Sequence, residues 1–257
     1  MIPKIIHYCW LSNDFVPESL QKYMKSWKEK LPDYDFMLWN FERFDKSSSL
    51  WVSQAFDNKK YAFAADYIRL FAVYNYGGIY LDMDIEVLKS FDDLLDSQIM
   101  IGYERDDKPW IEAGCFGAEK GNPFIKDCLS YYKNREFIKA DGAFDMLPLP
   151  QIMSRFMEFH INIRPYCWTY FTNKSYETGV VHYNTEGYSI HHFAGSWVDE
   201  FSKKINLIKN RIYSKVDNKI IRKMLLSFAV ALARFNHYGI SQTVKYYFVD
   251  RIKKCQM

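Results

Sequence analysis

The sequence predicts an α/β fold, a sheet with helices packed on it, and three observations carry that expectation. The apolar stretch Ile5-Ile6-His7-Tyr8-Cys9-Trp10 reads as a buried first strand, and an amphipathic helix and a second short strand, Phe36 to Trp39, come next. Strand, helix, strand in that order is a parallel βαβ unit. The 257 residues are 49% hydrophobic and 25% charged, which excludes a disordered chain and supports a sizeable core.

The first strand ends in the turn-forming Ser12-Asn13-Asp14, and Pro17 suits a first helical position. Leu20, Met24 and Trp27 then give the apolar face of that helix. After the Pro32-Asp33 turn and the second strand, a helix is predicted from about Lys59 to Asn75, ended by Gly77-Gly78. Ile79-Tyr80-Leu81 restarts a strand that runs into Asp82-Met83-Asp84. Further strands are expected over Ile99 to Tyr103, Cys115 to Ala118, Val180 to Tyr183 and Ser189 to Phe193, with a helix opened by Pro123. No period of the length typical of solenoids repeats.

The chemistry concentrates at Gly77-Gly78-Ile79-Tyr80-Leu81-Asp82-Met83-Asp84. Residues two apart on a strand share a face, so Tyr80, Asp82 and Asp84 point together. Two carboxylates side by side at a strand's C-terminal end repel each other unless a cation lies between them, and that end is where open α/β sheets bind ligands. Few hard oxygen ligands suit Mg²⁺ or Mn²⁺, ions whose shells are completed by phosphates and water. The other D-x-D tripeptide, Asp33-Tyr34-Asp35, lies in a turn. Asp66 and Arg69 stand at i and i+3 on one helix face. Ala62, Ala65, Ile68, Ala72 and Val73 surround them, so the pair is expected to turn toward a site. Arg also suits bidentate recognition of phosphate.

The stretch Lys60-Tyr61-Ala62-Phe63-Ala64-Ala65-Asp66-Tyr67-Ile68-Arg69 together with Gly77 to Asp84 resembles the DXD sugar transferases of glycosyltransferase family 32. It is most similar to transferases of capsular-polysaccharide and lipopolysaccharide synthesis, and more distantly to fungal initiating mannosyltransferases and the glucosylating domains of clostridial toxins. Ile2 to Trp10 and His191-His192-Phe193-Ala194-Gly195-Ser196-Trp197 look like the same family.

The resemblance implies a GT-A fold, a Rossmann-like mixed sheet flanked by helices, over residues 1–200. It also implies a nucleotide-diphosphate sugar donor, Mn²⁺ or Mg²⁺, retention of anomeric configuration and a glycan acceptor that is lipid-linked in such pathways. By the same resemblance Trp10 stacks on the nucleobase, Asp66 and Arg69 hold ribose and sugar, and Tyr80 contacts the donor. Asp82 meets the ribose and the metal shell, Asp84 is the direct metal ligand, and Trp197 reaches the diphosphate; Asp82 and Asp84 are the catalytic pair. His191 and His192 alternate across a strand, so one of them faces the site, and alignment on Trp197 favours His192 as third ligand. Gly195 stands where the toxin-type relatives place a hydroxyl. Glu112, Asp141, Asp145 and Gln151 lie in segments placed to line an acceptor pocket, or are ordinary surface and turn residues.

The net charge of +3 hides an asymmetry, because residues 201–257 hold thirteen Lys and Arg against Asp217 and Asp250. A basic helical extension is expected there, with Ile221, Leu225, Phe228, Leu232 and Phe235 as an apolar seam and a last helix from Thr243 to Lys254. It would either pack on the catalytic domain or lie through 203–254 on an anionic membrane face. No nucleic-acid fingerprint accompanies the charge, so no nucleic-acid partner is expected. Five cysteines without C-x-x-C spacing, no leader-like start and no long apolar run suggest a cytoplasmic chain, peripheral at most on the inner membrane face. A haloacid dehalogenase-type phosphatase would need a downstream Gly-Asp, which is absent from this sequence. A sugar-nucleotide or glycan-binding module without turnover is the second alternative.

Overall fold

The structure is a computed structural model and describes residues 1–12, 14–105, 107–176, 178–182, 184–194, 200–213 and 215–245. The chain divides into two compact units. The first holds residues 1–174 and 181–197, and the second residues 175–180 and 198–257.

In the first unit a five-stranded mixed sheet has the order β2-β1-β3-β6-β5. Strand β1 (Ile5–Cys9) pairs in parallel with β2 (Asp35–Trp39) on one side and with β3 (Gly78–Leu81) on the other. Strand β6 (Cys115–Ala118) runs antiparallel to β3 and to β5 (Ile99–Met100). This is the helix-flanked mixed sheet that the sequence predicts. Helix α1 (Glu18–Lys30) links β1 to β2, and α3 (Tyr61–Tyr76) leads into β3.

Alternation along the strands explains why both faces are covered. Ile6, Ile79, Leu81 and Cys115 enter one apolar cluster with Trp27 of α1, whereas Cys9, Tyr80 and Phe116 enter the other with Ala64, Ile68 and Val73 of α3. Buried polar atoms are paired as burial demands. Trp27 Nε1 donates to Ile85 O (2.6 Å) and Trp51 Nε1 to Phe63 O (2.9 Å). His7, fully buried, accepts from Trp39 Nε1 at Nδ1 (3.1 Å) and donates from Nε2 to Gly77 O (2.7 Å). It ties β1 to the end of α3.

A second, two-stranded sheet sets the site. Strand β4 (Ile85–Val87) pairs antiparallel with β7 (Ser189–His191), with Ile85 opposite His191. The tight turn Asp82 to Ile85, closed by Ile85 N–H to Asp82 O (3.0 Å), carries the chain from β3 into β4. The late residues of β7 are thereby brought to the end of β3.

Several elements differ from expectation. The first helix starts at Glu18 with Pro17 as its cap, and α3 starts at Tyr61 because Lys59 takes a positive φ of 57°. Helices α2 (Leu50–Asp57), α5 (Leu149–Met157) and α6 (Trp168–Phe171) come in addition to those predicted, while α4 (Pro123–Ser130) opens at its proline beneath the Asn122 cap as expected. Over residues 180–183 the predicted strand reduces, among the described residues, to a single bridge between Lys174 and Val181.

In the second unit α7 (Glu200–Tyr213) packs on α8 (Lys219–Lys245), which Gly239 interrupts with a φ of 78°. The seam residues Ile221, Leu225, Phe228, Leu232 and Phe235 are 42–71% exposed. The predicted final helix falls beyond residue 245, outside the described residues, except for its first three positions, which continue α8. Among the described residues no helix is long and apolar enough to cross a membrane.

Candidate active site and metal centre

The carboxyl edge of the parallel strands carries the predicted groups. β3 ends at Leu81, so Asp82 and Asp84 follow at its tip, and Trp10 follows β1 one strand away. Trp10 is half-buried, its Nε1 donating to Asp14 O (2.8 Å). Asp66 and Arg69 of α3 are 8% and 6% exposed, so the pair is buried among its small and apolar neighbours.

Arg69 organises this edge. Nη2 meets Asp66 Oδ1 at 3.3 Å, and Nη1 donates to Asp82 Oδ2 (3.2 Å) and to Ala113 O (2.9 Å). Its guanidinium lies 4.7 Å over the Tyr80 ring, and the Tyr80 hydroxyl donates to Asp82 Oδ1 (2.9 Å). Arg69 Nε is buried without a hydrogen-bond partner among the described residues. Burial pushes the Asp66 carboxyl up to about 6 even though Arg69 opposes it, and burial likewise raises that of Asp82.

The histidine beside the pair is His191. Ligand atoms of Asp82, Asp84 and His191 all lie within 4.8 Å of one another, and His191 Nε2 stands 3.5 Å from Asp84 Oδ1. The expectation of His192 is corrected here. In antiparallel register with β4, His191 falls toward the aspartates, while His192 binds Glu86 through Nε2 (2.8 Å) and stacks on Tyr23 at 4.3 Å. The alternation of the two histidines was readable in the sequence, but which of them faces inward depends on a pairing more than a hundred residues away. Trp197 lies outside the described residues.

Glu112, read from the sequence as an acceptor-pocket candidate, is 1% exposed and locks His191 instead. His191 Nδ1 donates to both Glu112 oxygens (3.0 and 3.1 Å), and Thr172 Oγ1 (2.7 Å) and Gly114 N (2.6 Å) also donate to that carboxylate. Burial works against its charge, yet these donors outweigh it and hold the carboxyl below its usual range. Burial also opposes a charged His191, but Glu112 and Asp84 prevail and raise the ring to about 10. The main-chain N–H of Ala194 donates to Asp84 Oδ2 (2.6 Å). Gly114 is hemmed in: a Cβ there would lie 2.8 Å from His191 Cε1, 2.9 Å from Glu112 Oε1 and 3.0 Å from Asp82 Oδ2. Of the other acceptor candidates, Asp145 pairs with Arg135 (3.0 Å) and Asp141 caps Ala143 N–H (2.9 Å), both structural roles, whereas Gln151 lines a cavity.

Two carboxylates and an imidazole converging in this way fit a divalent ion. Nδ1 of the histidine is committed to a carboxylate, which leaves Nε2 toward the cluster, the usual support of a metal-bound histidine. Oxygen donors with one imidazole suit Mn²⁺ or Mg²⁺.

Residues 17–100 match the family described as "glycosyltransferase sugar-binding region containing DXD motif". Over that third of its length the chain is similar to the DXD glycosyltransferases. Among curated relatives it is 35% identical over 128 residues to inositol phosphoceramide mannosyltransferase 3 of Schizosaccharomyces pombe, covering 48% of this chain and 35% of that protein. It is 30% identical over 160 residues to inositol phosphoceramide mannosyltransferase 1 of the same yeast, covering 56% and 47%. The chain thus spans between a third and a half of the length of these relatives. Among solved structures it is similar to the PaToxG glycosyltransferase, at 22% identity and a TM-score of 0.49 over 63% of this chain and 70% of that one.

Proposed function

We propose that this chain is a DXD glycosyltransferase that moves a hexosyl group from a nucleotide-diphosphate sugar to a hydroxyl of a glycan or glycolipid, with retention of anomeric configuration and with Mn²⁺ or Mg²⁺ held by Asp82, Asp84 and His191. The observation that carries this reading is the meeting of that Asp-Asp-His cluster with the buried Asp66–Arg69–Tyr80 group at one sheet edge. When bound, the ion supplies Lewis-acid stabilisation to the departing diphosphate.

The side chains do the rest. Arg69, placed by Asp66, offers fixed positive charge to the donor. Such preorganised charge stabilises the transition state without reorganisation. Tyr80 and Arg69 orient Asp82 through one oxygen each, and Ala194 N–H orients Asp84. Trp10 flanks the edge as the platform for a nucleobase. In the transfer, the C1–O bond to the diphosphate breaks with its electron pair leaving on phosphate, the acceptor oxygen bonds to C1, and the acceptor's proton ends on the released diphosphate or in solvent. Capsule or lipopolysaccharide assembly and the inositol-lipid mannosylation named for the yeast relatives share this chemistry, so a donor panel begins with mannose and its epimers.

Nucleoside diphosphate released from such a panel in the presence of Mn²⁺ tests the proposal. Asp84→Ala is expected to abolish metal-dependent release while melting like the parent. A variant as active as the parent, or a chain inert toward every donor, overturns the assignment.

A further inference from the structure

The first unit also carries an open cleft of about 700 Å³, within the range of small-molecule sites. Tyr103 and Trp110, from the loop between β5 and β6, form one wall, and Gln151, Ser154 and Arg155 of α5 form another, with Arg164 beyond. Topology puts it at the sheet edge that bears the Asp82, Asp84 and His191 cluster. β5 and β3 both run antiparallel to β6, so the loop after β5 leaves the sheet at the same edge as Asp82. Ile111 of the lining precedes Glu112 in the chain, and its N–H donates to Ser154 Oγ (3.0 Å). At the start of α5, the Leu149 N–H serves Asp66. The two walls are therefore continuous with the groups that hold His191 and Arg69.

The lining has a definite chemistry. Trp110 and Tyr103 offer aromatic faces of the kind sugar rings pack against, and Lys108 Nζ lies 4.4 Å over the Trp110 ring. Arg155 is exposed, and among the described residues it has no carboxylate within ion-pair distance. Arg164 donates to the main-chain oxygens of Ile161 and Ile163. Against these three cations the lining sets Glu158, while His160 is committed to Asp127 (2.8 Å). Next to Tyr103, Glu104 Oε2 is buried without a hydrogen-bond partner among the described residues, within electrostatic reach of Glu112 and His191. Phe159 and Ile161, 78% and 75% exposed, add apolar surface near the cavity.

We propose that this cavity binds the acceptor, and that the acceptor is a sugar phosphate, either free or as the head group of a lipid, with its ring on Trp110 and its phosphate at Arg155 and Arg164. Its role as acceptor site rests on the glycosyltransferase reading above; its ligand chemistry does not.

Titration calorimetry of the full chain with glucose 6-phosphate, glucose and inorganic phosphate tests the free form. Sedimentation with phosphatidylcholine vesicles, with and without phosphatidylinositol, tests the lipid-held form. Expected is at least tenfold preference for glucose 6-phosphate over glucose and over phosphate, or for vesicles carrying phosphatidylinositol. Trp110→Ala and Arg155→Gln should each weaken that binding at least tenfold; the second alters an exposed residue and leaves the core untouched. Binding of glucose 6-phosphate no tighter than that of inorganic phosphate, together with vesicle binding indifferent to phosphatidylinositol or to both variants, overturns the proposal. Donor hydrolysis without any acceptor reports on Asp82 and Asp84 separately. If it fails while sugar-phosphate binding persists, the transferase reading falls and the cavity remains a sugar-phosphate site.

Discussion

Glu112 shows how much of the centre lies behind the residues proposed to hold an ion. Its carboxylate receives His191, Thr172 and Gly114 together and so fixes both the rotamer and the protonated nitrogen of the histidine. Support of this kind is worth about 10–100-fold in metal affinity. Glu112→Gln keeps the volume but removes the charge, so Mn²⁺ affinity should fall by about that factor. In the metal-free protein the His191 ring should titrate well below its present value of about 10. Metal titration and histidine NMR read the two effects, and a purely structural role would lower the melting temperature without moving either. Nothing local in the sequence marks Glu112, because the partner that defines it is 79 residues away. The aspartates were legible because strand alternation is a local rule, and Asp66 with Arg69 because small neighbours surround them.

At the level of elements, the junction of α3 and β3 aims the edge that bears Asp82 and Asp84. Gly77 adopts φ 69° and ψ −179°, a conformation essentially confined to glycine. A Cβ there would lie 2.8 Å from Lys120 N and 2.9 Å from the Pro3 ring. Gly77→Ala should therefore cost about 1–3 kcal/mol in backbone strain, with overpacking in addition. Urea denaturation should show the midpoint falling accordingly, and an unchanged midpoint would contradict the account. This junction was readable because a Gly-Gly pair after an apolar helix has few other uses. Helix α5 was not: Pro148 and Pro150 look like breakers in sequence, yet here they cap and open the helix. Strand β4 was missed because three residues are too few to show a period, and only its pairing with β7 defines it.

For the molecule as a whole, two buried groups on α3 and β1 oppose each other in acid. Burial lowers His7 from 6.5 to about 4, so its contribution is complete above pH 6.5 and is lost as pH falls toward 4. Burial raises Asp66 from 3.8 to about 6, so its contribution is complete below 3.8 and is lost as pH rises through 6. At about 1.4 kcal/mol per pKa unit each is worth about 3 kcal/mol, with opposite sign. Asp66→Asn removes one side of this balance. In metal-free protein the variant should lose about 3 kcal/mol relative to the parent between pH 7 and 4, measured by urea unfolding at several pH values. Parallel curves for the two proteins would exclude it. The mixed sheet was legible at this scale from the order of strands and helices. The fate of the basic extension was not, since a regular apolar seam reads the same whether it is covered or, as in α8, left 42–71% exposed.

The crowding at Gly114 reaches beyond this one molecule. No side chain fits between His191, Glu112 and Asp82, so the glycine two places after Glu112 is a steric signature of the histidine-based centre. A distant D-x-D chain bearing alanine or anything larger at that point must complete its ion's shell with some other residue, and a reader with only its letters can sort it accordingly.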